Sequence, residues 1–238
     1  MNADPSPLAI AILAGGLATR LHPITQAIPK ALVPVANQPF LAHQLRLLSR
    51  RGLRDIVLCV GHLGRQIEDR FGDGRDYGVL LRYSYDGEKL RGTAGALRHA
   101  LPMLGDAFLV LYGDSYLDID YAEVTRKVRD SGTRALMTVI ENSHGTEPSN
   151  VWYEDQRVWA YNKKNPQPQM RHIDYGLSAY RRECIAGFEG TDLSDLQSAL
   201  ASEGKMMGFE VTIPYHEIGS HAGIKALENY FQRQESRL

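Results

Sequence analysis

The chain has 238 residues, 43% of them hydrophobic, with 27 Lys and Arg against 28 Asp and Glu. That length gives one large domain with a real core, and the near-neutral balance argues against a nucleic-acid partner. No run of 18 apolar residues exists, so no membrane span is expected. Two cysteines, Cys59 and Cys184, suit a reducing compartment. The first ten residues lack the basic and apolar regions of a signal peptide, so a cytoplasmic protein is expected.

Leu8 to Leu13 is an apolar run that reads as a buried strand of a parallel sheet. It breaks into Gly15-Gly16, where adjacent glycines admit positive φ and let backbone N–H groups approach a ligand. From Pro5 to Arg54 there is no Asp or Glu, while Arg20, Lys30, Arg46, Arg50, Arg51 and Arg54 fall in that window. No periodic segment appears before Pro39, and so long a connection inside a compact domain is usually functional. A strand, a glycine bend and nearby cations with carboxylates excluded are what an anionic phosphate needs. The plainer alternative is a tight turn with solvated cations. The spacing matches neither the ATPase phosphate loop nor the dinucleotide fingerprint.

Pro39 to Arg51 reads as a helix with Leu41, Leu45 and Leu48 at i, i+4, i+7, stopped by Gly52. Asp55 to Val60 is a second strand, with Cys59 as core packing. Gly64 to Phe71 is a helix, and Val79 to Ser84 a third strand. This alternation predicts a parallel sheet with right-handed crossovers. Gly92 and Gly95 open a helix carrying Leu97, Ala100 and Leu101. That start is either a second ligand-facing turn or an ordinary helix with Thr93 as N-cap.

Ala107 to Tyr112 is the central-strand candidate and runs into Gly113-Asp114-Ser115. A carboxylate at the carboxyl end of a parallel strand points into the ligand crevice, and magnesium uses one or two carboxylates with substrate phosphates. A turn-capping role is the alternative for Asp114. Asp118-Ile119-Asp120 imitates the D-x-D of glycosyltransferases but reads mainly as the cap of a helix from Tyr121 to Asp130. Thr133 to Glu141 is a strand. Trp152, Tyr153, Trp159 and Tyr161 suggest an antiparallel hairpin, a lid over the pocket. Lys163-Lys164 follow as loop cations. Asp192 to Glu203 is a helix, and Glu210 to Pro214 ends a strand. His216 and His221 fail as a zinc pair, being five apart with Gly219 between. Ser220 then N-caps a closing helix with Ile224, Leu227 and Phe231 on one face.

Leu13-Ala-Gly-Gly-Leu-Ala-Thr-Arg-Leu21, Pro23-x-Thr25, Pro29-Lys30 and Pro34-Val35 together resemble the signature of the sugar-1-phosphate nucleotidylyltransferases, the nucleotide-sugar pyrophosphorylases. The resemblance runs from Leu8 to the closing helix. It implies an α/β, Rossmann-like three-layer sandwich with a mixed, mostly parallel central sheet and a small antiparallel lid. It implies one domain over 1–238, with a nucleotide-binding half at about 8–132 and a sugar-phosphate half at about 133–238. The implied activity is transfer of a nucleotidyl group from a nucleoside triphosphate to a sugar 1-phosphate, with Mg2+ and release of pyrophosphate. The short length is most like members acting on heptose, hexose or N-acetylmuramic acid 1-phosphates for envelope or capsule polysaccharides.

Residue by residue, the resemblance places Leu13, Ala14, Gly15, Gly16 and Thr19 on the nucleotide, with Gly92, Thr93 and Ala94 along its base. Arg20, Lys30 and Asp114 are the implied catalytic set. Asp114 is the first metal ligand and Glu217 the second, where Asp is commoner. Lys164 is implied to hold the sugar phosphate, with Asp174 and Gly176 also on the sugar side. Two departures stand out. Ala18 replaces a third glycine and is expected to avoid positive φ, and Lys163 replaces an acid. A nucleotide-sugar-dependent glycosyltransferase and a non-catalytic binding module remain alternatives, and an exposed face on the late helices could pair subunits.

Overall fold

Alternation along the first strand sets the layers. The structure, a computed structural model, describes residues 8–143, 145 and 148–236. In β1 (Ile10–Leu13), Ile10 and Ile12 enter one apolar cluster and Ala11 the other. The same split recurs in β4 (Asp55–Val60), where Ile56 and Leu58 oppose Val57 and Cys59. Successive strand side chains point to opposite faces, so a sheet apolar on both faces must be covered on both.

Between β1 and β4 lie α1 (Ile24–Ala27), the ribbon of β2 (Pro34–Val35) with β3 (Gln38–Pro39), and α2 (Phe40–Arg50). Next come α3 (Gly64–Phe71), β5 (Leu80–Tyr85), α4 (Gly92–Ala100), β6 (Ala107–Tyr112), β7 (Ser115–Tyr116) and α5 (Tyr121–Asp130). The later chain forms β8 (Ala135–Glu141), β9 (Val151–Glu154), β10 (Arg157–Tyr161), β11 (His172–Arg181), α6 (Arg182–Ala186) and α7 (Leu193–Ser202). It closes with β12 (Met206–Glu210), β13 (His216–Glu217) and α8 (His221–Glu235).

Nine strands form one sheet in the order β5-β4-β1-β6-β11-β8-β12-β10-β9. Only β10 and β11 run against the others, because β11 is antiparallel to β6 and β8, and β10 to β12 and β9. Helices α2, α3 and α5 cover one face through Leu45, Ile67 and Val124, and α4, α6 and α7 the other through Leu97, Ile185 and Leu196. Asp120 caps α5 by accepting from the N–H of Ala122 at 2.9 Å and of Glu123 at 3.2 Å. No helix among the described residues is long and apolar enough to cross a membrane.

Three local expectations change. The connection after β1 is not structureless: it folds into short helical turns at Thr19–Leu21 and Lys30–Leu32 around α1. The Trp-bearing hairpin does not stand apart as a lid. Its strands extend the main sheet, with β10 on β12 and β9 touching β11, since a lone two-stranded ribbon is marginal in water. The strand expected to end over 210–214 finishes at Glu210.

A third apolar cluster docks α8, through Leu227 and Ile224, on Phe40 and Leu47 of α2. His43 of α2 stacks on Phe231 at 4.6 Å, and its Nε2 lies 2.8 Å from the Val35 carbonyl oxygen. Burial, with help from nearby Arg46, lowers its pKa below the ordinary value of 6.5. As pH falls below that value the unfolded chain takes a proton that the folded chain resists, so stability is lost on acidification. The thermal midpoint should drop from pH 7 to pH 5.5, and by less in His43→Gln. An unchanged drop in the variant refutes this role.

Candidate active site

The strand order reverses beside β1: β4 and β5 continue to one side and β6 starts the other. Ligands of open α/β sheets settle outside the carboxyl ends of strands at such a reversal. A cavity of about 270 Å³ lies there. Leu13, Ala14, Gly15, Gly16, Lys30, Gly92, Thr93 and Asp114 all line it, so most of the nucleotide-side residues converge.

The bend after β1 takes its positive φ at Ala18, 50°, and not at Gly15 or Gly16. This corrects the expectation for alanine. A left-handed L-residue costs about 1–2 kcal/mol. The Ala18 carbonyl offsets that by accepting from Leu21 N–H at 3.0 Å and Thr25 Oγ1 at 2.8 Å. Gly15 is needed for close approach instead, since a Cβ there would lie 3.1 Å from Gly61 N. Thr93 does not cap its own helix. Its Oγ1 accepts from Leu193 N–H at 2.7 Å, joining the starts of α4 and α7. Ala94 is buried, and its N–H donates to the Thr191 carbonyl at 2.9 Å. Gly92 has φ +72°, and a Cβ would come within 2.5 Å of Thr191 O.

Asp114 is fixed from both sides. Gly113 N–H donates to Leu13 O, and Ile218 N–H donates to Asp114 O, each at 3.0 Å. The second bond belongs to an antiparallel pairing of β7 with β13 that sets Glu217 opposite Ser115. The backbones of two carboxylate residues distant in sequence thus come close, while Asp114 lines this cavity and Glu217 lines a separate one with His216 and Ser220. A carboxylate such as that of Asp114 is a hard oxygen donor, suited to a divalent cation whose remaining ligands come from phosphates. Among the described residues no group of three or more His, Cys, Asp and Glu assembles a metal cage.

Arg20 stands beside this ribbon. A Cβ on Gly219 would lie 3.0 Å from both Arg20 Nη2 and Glu217 Oε1. Thr19 is exposed on the turn before it. Lys30 Nζ lies 2.7 Å from Asp114 Oδ2.

On the sugar side, Lys164 has an exposed side chain, while its N–H donates to Asn162 Oδ1 at 2.9 Å. Lys163 is exposed too, but its ammonium is 3.7 Å from Asp174 Oδ2 and 5.0 Å from the centre of the Tyr112 ring. Asp174 is 3% exposed and also accepts from Tyr161 Oη at 3.2 Å and Gly176 N–H at 3.1 Å. Gly176 has φ +100° and sits against Ser115 Oγ, which a Cβ would approach to 3.0 Å.

Sequence reasoning missed Asp86 and Tyr112 as lining residues. Burial raises the pKa of Asp86, partly countered by the Arg91 N–H. Cys59 forms part of the cavity wall, and burial pushes its thiol up to about 12. Asp118 is occupied elsewhere, accepting from Arg51 Nη2 at 2.6 Å and Tyr230 Oη at 3.0 Å. With Asp120 spent on a helix cap, the D-x-D reading loses both carboxylates.

The model of a family described as nucleotidyl transferase matches residues 9–150. The N-acetylmuramate alpha-1-phosphate uridylyltransferase of Neisseria meningitidis is 44% identical over 200 residues, 81% of this chain and 83% of its own. The chain belongs to the nucleotidyl transferase family. The UTP–glucose-1-phosphate uridylyltransferase of Synechocystis is 36% identical over 140 residues. That match covers 54% of this chain but only 36% of the Synechocystis protein. The crystal structure of HddC from Yersinia pseudotuberculosis shares the fold, with a TM-score of 0.80 at 22% identity over 94% of this chain and 99% of that one.

For a nucleotidyl transferase the glycines of the site separate into two kinds. A Cβ on Gly113 would lie 2.4 Å from Leu13 O, whereas one on Gly16 meets nothing within 4 Å. Gly113→Ala should therefore cost about 1–3 kcal/mol in urea unfolding, as an overpacked site does. Gly16→Ala should leave stability near wild type and weaken nucleotide binding alone. Equal stability of the two variants contradicts this division.

Proposed function

We propose that this protein transfers a nucleotidyl group from a nucleoside triphosphate to a sugar 1-phosphate and releases pyrophosphate. The observation that carries the reading is the glycine-bend cavity, which Lys30 and Asp114 line together, with the pairing of β7 and β13 bringing the Glu217 backbone close to that of Asp114. A sugar 1-phosphate oxygen attacks the α-phosphorus. It is already an anion at neutral pH, so the chain need not supply a base. It must instead align two like-charged reactants and stabilise charge gathering on the leaving oxygens.

The bend at Ala14 to Gly16 offers backbone approach to the nucleotide, and Gly92 and Thr93 border its base. Lys30 polarises the α-phosphate. Arg20 neutralises the departing pyrophosphate. Asp114 and Glu217 would hold Mg2+, which supplies charge neutralisation on the phosphate oxygens. Lys163, whose ammonium reaches Asp174, receives the sugar phosphate in place of Lys164, and Asp174 with Tyr161 orients it. Residues 8–132 would then serve the nucleotide and 133–238 the sugar phosphate.

The Neisseria relative, alike over most of both chains, supports a uridylyl donor and N-acetylmuramate 1-phosphate as the acceptor. Guanylyl or thymidylyl donors with heptose 1-phosphate form the next pairs to try. The product would be an activated sugar for envelope polysaccharide.

The test is pyrophosphate release with magnesium, a panel of nucleoside triphosphates and several sugar 1-phosphates. Asp114→Asn and Lys30→Ala should each lower turnover about a hundredfold or more, the scale of a lost oxyanion donor. Lys163→Met should raise KM for the sugar 1-phosphate, while Lys164→Met stays near wild type. Near-normal turnover in the first pair, or the reverse order in the second, rejects the corresponding role. No pyrophosphate with any pair rejects the activity.

A further inference from the structure

Lys30 and Asp114 neutralise each other across the cavity wall. Their atoms are 2.7 Å apart and their side chains only 17% and 25% exposed. Both backbones are anchored. Leu32 N–H closes on Pro29 O at 2.8 Å and Val33 N–H on Lys30 O at 3.0 Å, with Ala31 buried between. Asp114 is held by Ile218 N–H, and Gly113 by Leu13. What remains free to move is the flexible four-carbon stem of the lysine. A divalent cation reaching Asp114 would face an ammonium on the same carboxylate, in a partly buried place where salt screens poorly.

We propose that Lys30 is the resting counter-ion of Asp114 and keeps divalent metal off that carboxylate until a polyphosphate draws the ammonium away. The inference rests on the assignment of Asp114 as a metal ligand made above. The polyphosphate is the stronger partner for Lys30, because it brings several anionic oxygens to a bend with no acid between Pro5 and Arg54. When Lys30 turns to it, Asp114 is uncovered as phosphate oxygens arrive to share the ion. Metal and nucleotide then enter as a coupled pair, and the coupling is reciprocal. The free enzyme holds its charges paired and does not collect stray cations.

The experiment measures Mn2+ binding to the enzyme without nucleotide or sugar, from the electron paramagnetic resonance signal of the free ion. Wild type should bind weakly. Lys30→Met should bind at least about tenfold tighter, a difference of about 1.4 kcal/mol. Lys30→Arg, which keeps the charge, should stay as weak as wild type. Adding Asp114→Asn to Lys30→Met should erase the gain. Lys30→Gln replaces the methionine variant if that variant shows no cooperative melt. Equal affinity in wild type and Lys30→Met, abolished in both by Asp114→Asn, overturns the latch but leaves Asp114 as a ligand. Lys30→Arg binding as tightly as Lys30→Met overturns it too, because charge would then not matter. A gain that survives Asp114→Asn, or no binding by Lys30→Met, overturns it together with the metal assignment.

Discussion

One backbone hydrogen bond, from Ile218 N–H to the Asp114 carbonyl, ties the end of β6 to the chain that leads into α8. It closes the pairing of two strands of two residues each. So short a ribbon has little stability of its own. It is held because Tyr116 and Ile218 are buried in the cluster beneath α8. Packing of the last helix thus fixes carboxylates that arise from distant parts of the chain. Gly223 shows how close the fit is: a Cβ there would lie 2.2 Å from the Glu217 carbonyl oxygen.

Electrostatics complete what packing begins. The segment feeding the cavity from β1 holds cations without acids, and the acids that line it, Asp86 and Asp114, follow β5 and β6. Two of the site's charges are met by opposite ones: Lys30 by Asp114, Lys163 by Asp174. A site paired in this way avoids the penalty of isolated half-buried ions and still presents groups that substrates can recruit.

Local pattern revealed the elements well. The bounds read for β4 and α3 agree with the structure, because apolar alternation and glycine stops are short-range signals. The carboxyl-terminal position of Asp114 followed from the same logic. Long-range partners were not legible. Nothing near Trp152 tells its hairpin to join β12 and not to stand apart, and nothing near Thr93 reveals Leu193. Asp86 reaches the cavity only because β5 lies beside β4, placing its carboxylate near Gly15 and Gly61. Lys163 and Lys164 are adjacent and both exposed, yet the Lys163 ammonium reaches Asp174. A motif read by spacing alone cannot distinguish them.

The sulfur in the cavity wall has its own consequence. Attack on electrophiles and oxidation to a sulfenic acid both proceed through the thiolate. Burial pushes the Cys59 thiol up to about 12, which disfavours its thiolate at neutral pH. The apolar packing that shapes the pocket therefore also lowers the nucleophilicity of this sulfur toward peroxide and alkylating agents. A covalent inhibitor directed here would find no warhead partner in that side chain.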